Sequence, residues 1–267
     1  MEQIGFIGIG NMGLGMLNGA LGRFEKKELT YTDVNQNRLD YVKEQTEVNY
    51  VKDNSTLVEQ CKYIILSIKP QFYSMVLEKI KDKVNKNHVV ISIAPGVSID
   101  CLKRSLGQDI KIVRAMPNTP ALVNEGMSGV CYSNDNYTEE EKSVIDKLFS
   151  SIGKYEVISE ELIDAVVCAS GSSPAYVYMF IEALADSAVR YGLPRNQAYT
   201  FVAQSVLGAA KMVLDTKKHP GELKDQVCSP GGTTIAGVAA LEEYGFRNAI
   251  MKASKECYQR AKEMEES

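Results

Sequence analysis

The sequence predicts an α/β protein: an N-terminal parallel sheet followed by an all-helical part, divided at residues 1–160 and 161–267. Three observations carry that expectation. Short β-rich runs alternate with helical stretches through the first 160 residues, the pattern of a parallel sheet covered by helices. Gly8-Ile9-Gly10-Asn11-Met12-Gly13 stands between the first apolar run and the first helical pattern. Beyond residue 160 the strand signal stops and alanine-rich helical segments take over.

Strands are expected near residues 3–8, 28–33, 48–51, 62–68, 88–93 and 110–114. Ile64-Ile65-Leu66-Ser67-Ile68 and Val89-Val90-Ile91-Ser92-Ile93 are nearly continuous apolar runs, so both belong in the sheet centre, buried on two faces. Between strands, the segments from Gln36 to Glu44 and from Gln71 to Lys81 carry apolar residues at helical spacing. In the second half, Pro174 and Pro194 occupy first-turn positions and mark two helix starts. From Ala175 to Val189 the chain is apolar almost all round, so a helix there needs cover on several sides, in a bundle or a dimer core. The tail from Lys262 to Ser267 is expected to fray.

Composition bounds the function. At 45% hydrophobic and 24% charged residues, with mean hydropathy −0.17, the chain reads as soluble and globular. It contains no apolar run near the roughly 18 residues that span a bilayer. Met1-Glu2-Gln3-Ile4-Gly5 lacks the features of a signal peptide, so a cytoplasmic protein with no membrane partner is expected. A net charge of −4 without a basic stripe argues against nucleic acid as partner. The six cysteines are scattered, without C-x-x-C or metal-ligand spacing, and no metal is expected. His88 and His219, the two histidines, lie outside any plausible constellation and are expected to be structural.

The Gly8 to Gly13 run has the strand-turn-helix context of a dinucleotide fingerprint. In such a loop Gly8 makes the tight turn, Gly10 lets pyrophosphate approach, and Gly13 packs helix on strand, with Asn11 and Met12 in the first helical turn. The first part is therefore a Rossmann-type domain. Asp33, 20 residues after Gly13 at the end of the second strand, suits the adenosine 2′-hydroxyl of NADH and repels a 2′-phosphate. It also suits an N-cap. Asn35, Asn37 and Arg38 just downstream suit the 2′-phosphate of NADPH if Asp33 turns away, so the cofactor is NADPH or NADH. Further loops at the C-terminal strand ends bring Asn54, Lys69, Pro70, Ala94 and Asn118 toward the same crevice. Lys69 reads equally well as a solvated loop lysine, whereas Asn118, between two prolines, is the better candidate for the nicotinamide end.

Ser229-Pro230-Gly231-Gly232-Thr233-Thr234, leading into a helical run, has the form of a helix N-terminus built for a small anion. Ordinary helix capping after a Pro-Gly turn explains the same residues.

Together these residues resemble the pyrroline-5-carboxylate reductases, along the length of the chain. The resemblance rests on Gly8 to Gly13, Lys69-Pro70-Gln71, Arg114 to Ala121, Ser170 to Tyr176, and Leu223 to Thr234. It implies a Rossmann domain and a helical domain that dimerises by interlocking helices, with decamers in some members. It also implies the reaction: hydride transfer from NAD(P)H to 1-pyrroline-5-carboxylate, giving L-proline. By the same resemblance Ser229, Gly232 and Thr233 hold the substrate carboxylate, to which the glycine turn adds Gly231 as a backbone donor, and Thr234 hydrogen-bonds the ring nitrogen as the catalytic residue. The chain departs from the family at Ser173, where glycine is usual, and at Asp33, where many members carry residues suited to a 2′-phosphate.

The chemistry is consistent from below. Reduction of a cyclic imine needs a carboxylate anchor, a polar partner for nitrogen, and close approach to the nicotinamide. It does not need a strong protein acid, which suits a chain with two histidines. A β-hydroxyacid dehydrogenase, the nearest rival, calls for a lysine on the helix from Pro174 to Arg190, and that segment has none. A non-catalytic NAD(P) sensor leaves the Ser229 to Thr234 run without a purpose.

Overall fold

The computed structural model describes residues 3–266. In chain order it contains β1 (Ile4–Ile7), α1 (Asn11–Ala20), β2 (Leu29–Thr32), α2 (Gln36–Thr46), α3 (Asn54–Gln60), β3 (Tyr63–Leu66), α4 (Tyr73–Ile80), β4 (Val89–Ser92), α5 (Ile99–Leu106) and β5 (Lys111–Met116). There follow β6 (Gly126–Tyr132), α6 (Glu139–Ser150), β7 (Gly153–Val157), α7 (Ile163–Val166), α8 (Ser173–Arg190), α9 (Arg195–Thr216), α10 (Pro220–Val227), α11 (Thr233–Glu243) and α12 (Phe246–Glu266).

The strands form one sheet in the order β2-β1-β3-β4-β5-β6-β7. Neighbours are parallel except β5 and β6, which are antiparallel. The strand order reverses between β1 and β3, so the crevice outside their carboxyl ends is the topological switch point where such sheets bind ligands. β1, β3 and β4 are buried at every position. Their continuous apolar runs are thus the consequence of helices on both faces. One apolar layer gathers Phe6, Met16, Leu17, Ile65 and Phe149; the other gathers Ile7, Leu57, Ile64, Leu102 and Ile112.

Three expectations are corrected. Residues 48–51 contribute only an isolated bridge between Tyr31 and Tyr50, not a strand. β6 and β7 extend the sheet beyond the expected strands. β6 opens Gly126-Met127-Ser128-Gly129, poor in strand formers, because its glycines admit close neighbours: a Cβ on Gly126 would lie 2.7 Å from the Ile152 carbonyl oxygen. β7 is the polar edge, with Lys154 and Glu156 exposed, a common way of blunting a sheet edge. Finally, the tail is helical over its described residues, with Ser267 outside them. α12 runs to Glu266, Ala261 is buried, and the Met264 carbonyl oxygen lies 2.9 Å from the place of a Cβ on Gly96.

The chain forms two compact units. Ser173–Glu256 makes one; residues up to Ser172 together with those from Cys257 onward make the other. The first unit therefore reaches past the expected break at 160/161, for two reasons. Ile163 belongs to its core. The end of α12 is tied to the segment before α8 as well: Lys262 pairs with buried Asp164 at 3.4 Å, and the Cys257 thiol donates to Ser172 Oγ at 3.1 Å. In the second unit, the small buried core is Ala185, Ala198 and Val202, with Ile181, Leu193 and Val206 packed against it.

Candidate functional site

At the end of β1 the backbone turns with Gly8 at φ +91, a conformation that strongly favours glycine. Gly8 N–H donates to the Thr32 carbonyl at 2.9 Å, and its own carbonyl accepts from the Ser67 hydroxyl at 2.5 Å. A Cβ on Gly13 would sit 2.5 Å from that same carbonyl, so Gly13 brings α1 directly against the turn. Around Gly10 a Cβ meets nothing within 4 Å. That space lies at the N-terminus of α1, whose cap is Gly10 without a side-chain hydrogen bond. The glycines thus perform three distinct jobs, and the unpartnered amides of the first turn fit a pyrophosphate.

Asp33 is not an N-cap: α2 is capped by Asn35, whose side chain accepts from the Arg38 N–H. Asp33 Oδ2 instead accepts from Ile9 N–H at 2.8 Å, and Oδ1 accepts from Asn35 N–H at 3.0 Å. Arg38 Nε donates to the Ile9 carbonyl at 2.7 Å. The backbone of Ile9 is therefore gripped at its N–H and at its carbonyl by groups of opposite charge. None of this is visible in spacing, because the partners lie 24 and 29 positions apart.

The other loops end at the same edge of the sheet. Asn54 is the half-buried first residue of α3, whose cap is Asp53. The Thr56 N–H and hydroxyl both donate to that carboxylate at 2.8 Å, and these hydrogen bonds hold its pKa below the usual range. Lys69 is exposed and precedes a short 3-10 turn opened by Pro70. Ala94 is buried just after β4. Asn118 is buried too, and its amide braces two segments: Nδ2 donates to the Ser170 carbonyl at 3.0 Å, and Oδ1 accepts from Met127 N–H at 2.9 Å. It positions the Ser170 turn, a role the rigid Pro-Asn-Thr-Pro run does not disclose.

Several supporting residues escaped the motif reading. Tyr73 hydroxyl donates to the Leu66 carbonyl at the end of β3 and lies 2.9 Å from Ser92 Oγ; burial raises its pKa, so it stays a neutral phenol. Glu160 accepts from Ile99 N–H at 2.7 Å and from Arg114 at 2.8 Å. Burial pushes the Cys61 thiol up to about 12 and the Cys131 thiol up to about 11, which leaves both inert as nucleophiles. The histidines are structural, as expected. His88 lies buried with its ring nitrogens at the Val58 and Asn85 backbone, and His219 caps α10 by accepting from Gly221 N–H at 3.0 Å.

Within the second unit, the Ser229 to Thr234 run forms the expected turn. Gly231 has φ +67 with open space beside it. Gly232 caps α11 with no side-chain hydrogen bond, so the plain-capping reading of the serine and threonines is not what the structure contains. The Gly232 N–H, one of the donors expected for an anion, is engaged by the Ser229 carbonyl at 3.0 Å. The first-turn amides beginning at Thr233 remain as backbone donors for an anion. Ser229 and Thr233 are exposed and Thr234 is half-buried.

Among the other helix starts, α2, α3, α5, α6 and α10 each carry a capping side chain, whereas α4, α7 and α9 begin at Phe72, Leu162 and Pro194 without one. α1 and α11 are capped by glycines, Gly10 and Gly232, which offer no side chain to their first-turn amides.

Residues 160–264 match the family model for pyrroline-5-carboxylate reductase dimerisation, and residues 3–96 match that for the coenzyme F420-dependent NADP oxidoreductases. The pyrroline-5-carboxylate reductase of Escherichia coli (strain K12) is 46% identical over 268 residues, covering 100% of this chain and 99% of its own. That of Methanosarcina acetivorans is 40% identical over 265 residues, covering 98% of each. Among solved structures, the Plasmodium falciparum pyrroline carboxylate reductase with NADP bound superposes with a TM-score of 0.89 at 33% identity, covering 99% of this chain and 98% of that one.

Proposed function

The chain belongs to the pyrroline-5-carboxylate reductase family, and on that premise we propose how its residues divide the work. It is an NAD(P)H-dependent oxidoreductase that reduces the C=N bond of 1-pyrroline-5-carboxylate to give L-proline, the last step of proline biosynthesis. When bound, the dihydronicotinamide supplies the hydride.

The observation that carries the division is the pair of glycine-started, uncapped helices. α1 serves the dinucleotide: Gly8, Gly10, Asn11, Met12 and Gly13 present the pyrophosphate cradle, with Asp33, Asn54, Lys69, Pro70 and Ala94 around it and Asn118 bracing the turn at Ser170. α11 serves the substrate. Ser229, Gly231 and Thr233 hold its carboxylate, and Gly232 shapes the turn through its own hydrogen bond to Ser229. The Thr234 hydroxyl hydrogen-bonds the ring nitrogen, whose charge changes as the imine becomes an amine. Positioned dipoles of this kind act without a titrating acid, in keeping with histidines that are both structural.

Initial rates with 1-pyrroline-5-carboxylate test the assignment. Thr234→Ala is expected to lower kcat on the order of tenfold to a hundredfold, the size of one lost transition-state hydrogen bond. Dinucleotide affinity, measured by calorimetry, stays unchanged. A kcat equal to that of the parent removes Thr234 from the chemistry.

A second copy of the chain completes the helical unit in this reading, as a homodimer or a decamer built from dimers. Its support is the matched dimerisation segment and the apolar surface of α8 and α9, where Met179 is 68% and Phe201 66% exposed in a single chain.

A further inference from the structure

We propose that Asp33 and Arg38, through their shared grip on the backbone of Ile9, make this enzyme select the dinucleotide that lacks a 2′-phosphate. The inference rests on reading the Gly8 to Gly13 loop as the dinucleotide site.

The glycine loop fits a dinucleotide on the structure's own evidence: open space at Gly10 and an uncapped α1. Selection then turns on what stands at the end of β2. An acidic side chain there discriminates only if it stays beside the loop, and Asp33 is held there. Its two carboxylate oxygens accept from two different backbone amides, Ile9 at 2.8 Å and Asn35 at 3.0 Å. Swinging away would break both bonds and leave the Ile9 amide without its acceptor. Both donors are neutral, so neither cancels the carboxylate's charge. A phosphate dianion placed beside it meets like-charge repulsion, whereas a ribose hydroxyl meets an acceptor.

Arg38 is the cation that would otherwise welcome a 2′-phosphate, and it is held too. Its Nε donates to the Ile9 carbonyl at 2.7 Å, and its guanidinium lies 5.4 Å from the centroid of the Tyr41 ring. The terminal nitrogens of an arginine held through Nε remain donors. Arg38 therefore becomes the 2′-phosphate ligand only once the neighbouring negative charge is removed. The two residues act as a charge-coded pair: Asp33 sets the preference, and Arg38 sets what replaces it.

Calorimetric titration of the purified enzyme with NADH and NADPH tests this without relying on turnover. Adenosine 5′-phosphate and adenosine 2′,5′-bisphosphate serve as fragment probes of the adenosine end. Wild type is expected to bind NADH about tenfold or more tightly than NADPH, the scale of one adverse charge contact. Asp33→Asn, which keeps an oxygen acceptor for the Ile9 amide, is expected to erase most of that ratio by tightening NADPH and the bisphosphate. Asp33→Asn combined with Arg38→Ala is expected to lose the gained NADPH affinity while NADH binding persists. Should Asp33→Asn bind neither dinucleotide, Asp33→Ser supplies the same comparison.

Wild type that binds NADPH as tightly as NADH overturns the proposal, and so does a ratio unmoved in both Asp33 variants. A gain in NADPH affinity that survives Arg38→Ala overturns Arg38's part in it. Wild type that binds neither dinucleotide overturns the site reading together with the selection built on it.

Discussion

The two units of this chain bury their apolar residues in opposite ways. In the first, Phe6, Met16, Leu17 and Phe149 are fully enclosed, and the central strands are covered on both faces. In the second, the buried core is two alanines and a valine, while Met179, Phe201 and Met251 stand 66–71% exposed. Large apolar side chains left exposed are what an interaction face presents. The first unit is stabilised by its own interior; the second, which matches the dimerisation model, keeps large apolar residues on its surface.

Four substitutions test that contrast, from the largest effect to the smallest. Phe149→Ala empties a sealed site and is expected to cost about 3–5 kcal/mol in chemical denaturation, independent of protein concentration. Concentration dependence would show that the first unit also leans on a partner. Phe201→Glu places a charge on the face assigned to a second copy, and we expect about 2–4 kcal/mol lost from association. Light scattering at micromolar protein should then find monomers that still bind dinucleotide. A parent enzyme already monomeric in that measurement would refute the assigned role of this face.

Glu141→Gln probes the buried charge of the first unit. Glu141 is 3% exposed, pairs with Lys111 at 2.7 Å, and accepts from Thr138 N–H at 3.0 Å. Burial alone would raise its pKa, but the hydrogen bonds from Lys111 and Thr138 outweigh burial and hold it below the ordinary value. A lowered folded pKa means stability that is complete above the unfolded carboxylate pKa and lost as pH falls through the folded one. The variant should therefore be about 2 kcal/mol less stable at neutral pH. That deficit should shrink as the parent is acidified through the carboxylate range; a deficit constant with pH would contradict the assignment. Gly237→Ala is the smallest change. With nothing within 4 Å of its Cβ position, it is expected to stabilise α11 by about 0.5–1 kcal/mol. A loss in melting temperature would identify Gly237 as a point where another backbone comes close.

The same contrast explains what was legible in the sequence. β1, β3 and β4 are readable because double burial writes itself as an unbroken apolar run, and the Gly8 to Gly13 loop because Gly8 and Gly13 answer local steric demands while Gly10 keeps open space between them. β6 was hidden because its glycines serve neighbours such as Ile152 and Ile158, a demand set by tertiary approach rather than by strand propensity. The Asp33 to Ile9 bond and the Asn118 brace were hidden for a related reason: a polar side chain does not announce which distant amide it will meet. At the Ser229 to Thr234 run, residue types pointed to an anion. Only the geometry showed Gly232 N–H already bound and the helix start uncapped.

The end of α12 has a consequence for the order in which the protein can be made. The first unit draws on residues before 173 and on residues after 256, so the ribosome delivers its two pieces with the whole second unit synthesised between them. While that happens, the segment holding Ile163 and Asp164 lacks the stretch that carries Ala261 and Lys262. Domains generally fold as units during synthesis, but this one is finished last although it is begun first.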